Sequence, residues 1–543
     1  MGTRRPSDPH QYTLLSAQGK GRLPAACVCP RGVAGFLRTH RVGVHGFGAA
    51  AQLRRRSPAA SETLGGLVQK ARWLRIPLYL LAILTAAMLL RSSDREPAVQ
   101  RPSFVLVILD TVRADRLGCY GNAIDLTPAI DRYARGGARF TQAYAQAPWT
   151  LPSIASLLTS QWPTEHGAGG VIGDFRALSP AAGTLAEALR SAGYQTGLIS
   201  NVVFLSGKFG LDQGFTDVDA FSPASNLECR RAGITTDLAL DWLATHTTAP
   251  FLLVVHYFDP HLIYDPPQPY RARYADPRDA RSSEIPFGRS QELIDFRKGR
   301  VALHYETVAR LAKLYMGEIA YVDREVGRLL DGLRRLGLAE RSVVAVVADH
   351  GEEFGDHGDF EHGHSFYQEL VRVPLILRVP PCLRGAHGLP EELPREVDST
   401  VRLIDLAPTF CELGGMAAPA RFRGRSLLPL LRRAADGDRS GIASLSRRIV
   451  LMEDNMWSPG GFAYLRGDFK LIRRTRDAAL QLFDLQRDPA EQQDLADARP
   501  EVRAELLREV RVLRSGLQPA DSAVAPALDR EDRQRLRSLG YLE

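Results

Sequence analysis

Ser103-Phe-Val-Leu-Val-Ile-Leu109, followed by Asp110, decides how the chain is read. A continuous apolar run, β-branched in part, is the pattern of a central strand covered on both faces, and this one stops on a carboxylate. Working outward, Thr184-Leu-Ala-Glu-Ala-Leu-Arg-Ser-Ala-Gly193 reads as an amphipathic helix with a glycine stop, and Tyr194–Ser200 as the strand after it. Phe251–His256 and Ser342–Ala348 read as two more buried strands, Leu311–Leu336 as a long helical stretch and Leu375–Val379 as a further strand. Strands alternating with helices predict an α/β sheet, whose sites gather beyond the carboxyl ends of its strands. Asp110, His256 and the pair Asp349-His350 all stand at such ends.

A second stretch, Ala147-Pro-Trp-Thr-Leu-Pro-Ser-Ile-Ala-Ser-Leu-Leu-Thr159, supplies a hydroxyl. It begins as a turn, with Pro148 and Pro152 on either side of Thr150, and becomes helical from Ser153. At such a junction free backbone N–H groups and the positive helix end face an anion. Thr150 is therefore a candidate nucleophile; the plain alternative is a helix N-cap. Asp110, Asp349 and His350 offer two carboxylates and one imidazole, and with Thr150 they make a cage for one divalent metal ion. Such an ion would acidify the hydroxyl, as zinc lowers the pKa of bound water to about 7. A mixed carboxylate and imidazole set suits Mn or Zn better than Ca, which prefers oxygen ligands throughout. The plain alternative for Asp349-His350 is a polar turn. The segment that follows, Gly351-Glu-Glu-Phe-Gly-Asp-His-Gly-Asp-Phe-Glu-His-Gly-His364, is too dense in His, Gly and acids for a core. Of His357, His362 and His364, one or two are expected to be solvated.

The 543 residues are too many for one simple core and predict a large domain with a smaller one. A hydrophobic share of 45% and a charged share of 24% are ordinary for a globular chain. The net charge of +7 is concentrated at the start. Residues 1–72 form a basic leader rich in Pro, Gly and Arg that reads as disordered. No aromatic interleaving accompanies the charge, so nucleic acid is not an expected partner. Ile76–Leu90 is an uncharged run between Arg75 and Arg91, shorter than the ~20 residues of a spanning helix. An uncleaved anchor, a cleaved secretory signal and a buried helix are its three readings. The basic flank keeps the N-terminal side in the cytoplasm. The expectation carried forward is one membrane helix at 73–91 with the catalytic domain outside the cytoplasm, periplasmic or extracytoplasmic. Cys27, Cys29, Cys119, Cys229, Cys382 and Cys411 show neither a metal spacing nor a disulfide framework, and are read as structural.

Several motifs then occur in order: Leu109-Asp-Thr-Val-Arg-Ala-Asp-Arg-Leu117 with Tyr120-Gly121, the turn at Thr150, Gly210-Leu-Asp-Gln-Gly-Phe215, His256-Tyr-Phe-Asp-Pro-His261, Asp349-His-Gly-Glu352 and Phe366-Tyr-Gln-Glu-Leu-Val-Arg-Val-Pro-Leu-Ile376. With them the chain resembles the sulfatase family of the alkaline phosphatase superfamily, from about Phe104 to the C-terminus. The resemblance implies an α/β fold with an alkaline-phosphatase-like mixed or parallel sheet flanked by helices, and a small C-terminal α+β subdomain. It matches Asp110, Asp349 and His350 to the metal ligands and Thr150 to the nucleophile. His261 matches a substrate-binding or leaving-group histidine. His362 matches a substrate-facing histidine of the phosphoethanolamine transferase branch, with His364 the fallback. His256 is read equally as a core residue and as a substrate-binding one.

The departures from the family are specific. Typical sulfatases carry Cys or Ser in a Cys/Ser-x-Pro-x-Arg motif, whose first residue is oxidised to formylglycine. Here the stretch is Thr150-Leu-Pro-Ser-Ile154, and Thr is not a substrate for that oxidation. Asp110 is followed by Thr111 rather than a second Asp, and Asp349 by His350 rather than Asn. A Thr nucleophile with Asp and His ligands is similar to phosphoethanolamine transferases and lipoteichoic acid synthases of the superfamily. The expected function is metal-dependent hydrolysis of sulfate or phosphate esters, with Thr150 forming a covalent ester that water resolves. His261 or His362 would stabilise the nonbridging oxygens or protonate the departing one. The substrate class is a small-molecule, glycan or lipid-headgroup ester. Two alternatives stand: a phosphoethanolamine- or glycerophosphate-type transferase on an envelope glycan or lipid, and a non-catalytic membrane-anchored binding protein. Lipid-handling transferases usually carry several membrane helices, which favours the hydrolase. Asp259-Pro-His261 lacks the Asp-x-x-x-His of two-metal relatives, so one ion is expected.

The remaining expectations concern organisation. Pro266–Pro269 opens an irregular insertion to about Arg300. Val401–Phe410 reads as a helix, and Gly424–Leu431 with the run to Ser446 as a linker. Phe462–Ile472 and Gln481–Leu485 read as a hairpin of strands, followed by a helical tail from Pro500 ending in Leu539-Gly-Tyr541. The division is a leader at 1–72, an anchor or signal at 73–91, a catalytic domain at 101–435 and a C-terminal subdomain at 446–543.

Overall fold

The structure is a computed structural model, in which residues 101–220, 230–275, 290–302, 304–435, 448–457, 459–474, 477–520, 525–538 and 541–542 are described. The leader, the 73–91 segment and Cys229 lie outside them. Among the described residues no helix is long and apolar enough to cross a membrane.

Strand β1 (Ser103–Leu109) is buried along its whole length. Each of its large apolar side chains removed from water is worth about 1.5–3 kcal/mol, which explains why so continuous an apolar run takes the centre of the sheet. It lies between β5 (Phe251–Tyr257) and β6 (Ser342–Ala348), parallel to both. The register sets Leu109 beside Tyr257 and Ala348, so Asp110 and Asp349 emerge together at one end. Beyond β5 the sheet continues in parallel through β3 (Gln195–Ser200) to β4 (Asp217–Ala220). On the other side β8 (Leu375–Arg378) runs antiparallel to β6. Strand β2 (Ala138–Tyr144) pairs antiparallel with β8 and with β7 (Arg372–Val373), and parallel with β9 (Glu396–Arg402). The main sheet is thus mixed, as expected.

Helices cover it. Helix α1 (Thr150–Thr159) is entirely buried. Helix α2 (Leu185–Ser191) starts on a capping box, in which Thr184 and Glu187 each satisfy the other's backbone N–H. Helix α3 (Ala232–Thr245) follows β4, and α4 (Tyr305–Arg335) is longer at its start than the periodicity from Leu311 suggests. Val401 and Arg402 are strand residues of β9, because they pair with Ala143 and Tyr144; the helix expected there begins later, as α5 (Leu406–Leu413). The linker reading of Gly424–Leu431 is also corrected. Leu427, Leu428, Leu430 and Leu431 are buried, and α6 (Leu428–Ala435) tucks them under the sheet. The insertion after Pro266 contains short helices at Tyr270–Tyr274 and Ser290–Arg297.

A second, antiparallel sheet takes its four strands in chain order: β10 (Val450–Glu453), β11 (Phe462–Arg466), β12 (Phe469–Arg473) and β13 (Leu480–Asp484). The hairpin is as expected; β10 is an addition to it. Helix α7 (Pro500–Ser515) lays Leu506 and Val510 against Tyr464, Leu471 and Leu482. Helix α8 (Arg530–Ser538) then returns the chain to the main core through Leu536 and Tyr541. Cys119, Cys382 and Cys411 are unpaired.

Candidate active site

The end of β1 turns through Thr111, whose φ of 58° is unusual for a β-branched residue and must be held from outside. Three bonds hold it. Its N–H donates to Asp349 Oδ1 (3.3 Å), its hydroxyl to the Pro260 carbonyl (2.8 Å), and its carbonyl accepts from Tyr315 Oη (2.8 Å). Helix α1 begins at Thr150 itself rather than at Ser153. Pro152 falls in the first turn, where its missing N–H has no helical partner to lose. Trp149 occupies the N-cap without a side-chain bond, so the Thr150 hydroxyl is not a cap. It lies 3.2 Å from His350 Nε2 instead. Ser153 Oγ donates to the Asp349 carbonyl (2.6 Å) and ties α1 to the end of β6.

His350 Nδ1 stands 2.9 Å from the Gly351 carbonyl. A carbonyl only accepts, so Nδ1 donates there and Nε2 faces the cluster. That nitrogen is 3.4 Å from Asp349 Oδ2 and 3.8 Å from Asp110 Oδ1. His256 Nε2 is 2.9 Å from Asp110 Oδ2. Asp110, His256 and Asp349 bring one ligand atom each within 4.8 Å of one another. All are buried, and Asp110 Oδ1, Asp349 Oδ2 and His256 Nδ1 have no hydrogen-bond partner. Burial pushes the Asp110 carboxyl up to about 7, against the pull of His350 and of the Thr150 hydrogen bond. Burial, then the Asp110 charge, pushes Asp349 up to about 7 as well. Desolvated carboxylates with orphaned oxygens are what a divalent cation neutralises. Asp110, Asp349, His350 and Thr150 therefore converge as the sequence suggested, and His256 joins them. Burial lowers His256 to about 4, so it is neutral.

Two more imidazoles close the other side. His261 Nδ1 donates to the Leu262 carbonyl (2.6 Å), and its Nε2 meets Tyr541 Oη at 2.8 Å. His362 Nδ1 meets Glu352 Oε1 at 2.8 Å, while Glu352 Oε2 accepts from Tyr264 Oη at 2.9 Å. Its Nε2 is 3.4 Å from Tyr541 Oη. Burial drives His261 down to about 3 and His362 well below its ordinary value, so both are neutral. The ring of His362 lies 4.5 Å from that of His350 and 4.9 Å from that of His261, centroid to centroid. His261, Glu361 and His362 form a second group able to hold a cation. His364 is not brought to Thr150. It faces Glu353 Oε2 (2.7 Å) and accepts from Arg297 (2.9 Å). His357 pairs with Glu369 (2.7 Å). Asp259 Oδ1 accepts from the Ala232 N–H (3.0 Å) and so caps α3.

The sulfatase family model matches residues 102–416. The chain belongs to the sulfatase family, within the alkaline phosphatase superfamily. A model described as N-sulphoglucosamine sulphohydrolase, C-terminal, matches residues 355–515. Among relatives of this sulfatase, the N-acetylglucosamine-6-O-sulfatase of Bacteroides thetaiotaomicron is 23% identical, over 80% of this chain and 89% of its own. The arylsulfatase of Clostridium perfringens is 24% identical, over 73% and 91%. The crystal structure of the phosphonate monoester hydrolase of Agrobacterium radiobacter superposes with a TM-score of 0.60 at 20% identity, covering 76% and 96%. This sulfatase is a sulfatase-like ester hydrolase. The family generally binds a divalent metal, and the Asp110 cluster has the donors for one. Sequence reasoning missed Tyr264, Glu361 and Tyr541 at the site. Glu352 stands inside a quoted motif, but its hold on His362 has no sequence signal.

Proposed function

We propose that this sulfatase is a metal-dependent hydrolase of sulfate or phosphate esters with Thr150 as its nucleophile. The observation that carries the reading is the convergence on one hydroxyl. Thr150 Oγ opens α1, 3.2 Å from His350 Nε2, whose ring lies beside that of His362, with His261 next to it. Asp110, Asp349, His350 and Thr150 would hold a divalent cation, which would supply the charge that acidifies the hydroxyl and polarises an ester oxygen. The chain's own residues do the rest. His256 fixes the rotamer of Asp110 through its 2.9 Å contact. The start of α1 turns its positive end toward the attacked group. His261 and His362, oriented by the Leu262 carbonyl and by Glu352, face the oxygens of that group; one of them takes the Thr150 proton at Nε2 as the hydroxyl attacks and returns it to the departing oxygen. Water then releases the group from Thr150.

A phosphorus ester is favoured over a sulfur ester by Thr150 itself, since threonine is not converted to formylglycine, and a phosphonate monoester hydrolase is among the structural relatives. The substrate is a small-molecule, glycan or lipid-headgroup ester. We take residues 73–91 as a membrane anchor that leaves the catalytic domain outside the cytoplasm. The uncharged run between Arg75 and Arg91 and the basic residues before it support this. Initial rates on matched aryl sulfate, phosphate monoester and phosphodiester, with Mn or Zn added, test the reading. A phosphorus ester should be preferred, and a chelator should abolish turnover. Turnover that survives complete removal of metal contradicts the proposal.

A further inference from the structure

Tyr541 comes from the far end of the chain and is fully buried beside His261 and His362. Its hydroxyl donates to His261 Nε2 (2.8 Å), which is bare because Nδ1 holds the proton against Leu262. The same oxygen is 3.4 Å from His362 Nε2. These are the two imidazoles assigned above to the oxygens of the transferred group. An oxygen of that group held by them would stand at hydrogen-bond distance from the same two nitrogens, about 2.8 Å. The phenol and that group exclude one another. Thr150, His350 and His362 are themselves without solvent exposure, so a substrate reaches them only after something moves.

The tail is held at a few identifiable points. Leu536 is the single apolar residue of α8. Tyr541 N–H donates to the Leu536 carbonyl (2.8 Å), and its ring leans edge-on against Phe204, with centroids 4.8 Å apart. Phe175 also packs edge-on against Tyr541, Leu542 joins the core, and Lys208 reaches Asp529 (2.8 Å) and Asp532 nearer the surface. We propose that the C-terminal tail is a displaceable plug, in which the Tyr541 hydroxyl stands in the place of an oxygen of the substrate's tetrahedral group. The plug rests on the reading of Thr150 as nucleophile. It makes the enzyme self-inhibited until the tail is drawn off or outcompeted. Because the Lys208 ion pairs are partly exposed, salt loosens it.

The test compares the full chain with a chain lacking residues 541–543 and with Lys208→Ala, which weakens the tail's hold outside the site. Two readouts are taken: kcat/KM on the best aryl ester, and the affinity for vanadate, an inorganic tetrahedral anion, by calorimetry on metal-loaded protein. The deletion should raise kcat/KM tenfold or more, chiefly through KM, and tighten vanadate binding by a similar factor. Lys208→Ala should move both in the same direction by less. A peptide of residues 530–543 should inhibit the deleted chain competitively. If kcat/KM and vanadate affinity are unchanged or fall on deletion with the unfolding midpoint preserved, Tyr541 belongs to the working site and the plug is overturned. If the deleted chain fails to fold, Lys208→Ala decides by the same signs. Vanadate binding needs no turnover, so the plug is judged even if no ester is hydrolysed. Turnover retained in Thr150→Ala would instead contradict the nucleophile and leave the tail's result standing.

Discussion

Replacing Asp349 with Asn separates the cost of the buried carboxylate from its use. Asp349 is raised from 3.8 to about 7 by burial and by Asp110. A carboxyl whose folded pKa lies above its unfolded one costs nothing below the unfolded value; its penalty grows as pH rises and is complete above the folded value. From 3.8 to about 7 that penalty is about 4 kcal/mol, at 1.36 kcal/mol for each tenfold in proton affinity. The Asn side chain keeps an oxygen to accept from the Thr111 and His350 N–H groups and removes the charge. In chelator at pH 8 the Asp349→Asn protein should therefore be more stable than wild type by roughly 2–4 kcal/mol, and the two should converge toward pH 4. With Mn or Zn the gap should largely close. Wild type gains about 2.7 kcal/mol when the metal is at a hundredfold its Kd, and the variant gains little. Urea unfolding at pH 5 and 8, with and without metal, measures this. Asp323 and Asp454, also raised to about 7, titrate in both proteins, so the difference between them is the quantity to read. A pH-independent difference, or a variant stabilised by metal as much as wild type, would refute the reasoning.

Other substitutions probe separate parts. At Gly351 an added Cβ would lie 1.9 Å from the Glu369 carbonyl oxygen, so Gly351→Ala should cost roughly 3 kcal/mol or more and lose bound metal, read by urea midpoint and metal content. Asp405 resists the upward push of burial because Arg402 and Arg448 hold it below the usual carboxylate range. Asp405→Asn leaves both guanidinium groups buried without their anion and should cost roughly 3–5 kcal/mol in urea unfolding at pH 7. That loss should shrink at acid pH, where the carboxylate is itself protonated. His256→Gln should weaken metal binding about 10- to 100-fold in a metal titration, whereas His364→Ala, whose ring faces Glu353 and Arg297, should leave it within about twofold.

What is legible in the sequence is what strand chemistry writes locally. The uncharged runs of β1, β5 and β6 are buried on both faces, so composition alone marks them, and the residue after each is fixed by register. That is why Asp110 and Asp349-His350 read as neighbours across more than two hundred residues of chain. Where a segment changes state within a few residues, local pattern fails. Val401 belongs to β9, yet only Arg402-Leu-Ile-Asp405 separates it from the apolar residues of α5, too short a span for the pattern to mark the change. Leu427–Leu431 reads as a linker because the Arg/Asp/Gly run after it dominates the composition. Thr150 falls outside the expected helix when Pro152 is weighed as a breaker rather than as a first-turn residue. Tyr541 carries no signal at all. Its burial depends on Leu536, Phe204 and His261, contacts set by the tertiary path of the tail.

The central claim is that the Thr150 hydroxyl is the atom that attacks. The most direct test is to quench the metal-loaded enzyme during turnover of a fast aryl ester and map the adduct by peptide mass. The account predicts one sulfuryl or phosphoryl group on the peptide carrying Thr150, absent in Thr150→Ala, which folds but does not turn over. A Thr150→Ala protein that retains turnover, or an adduct on any other residue, would contradict it.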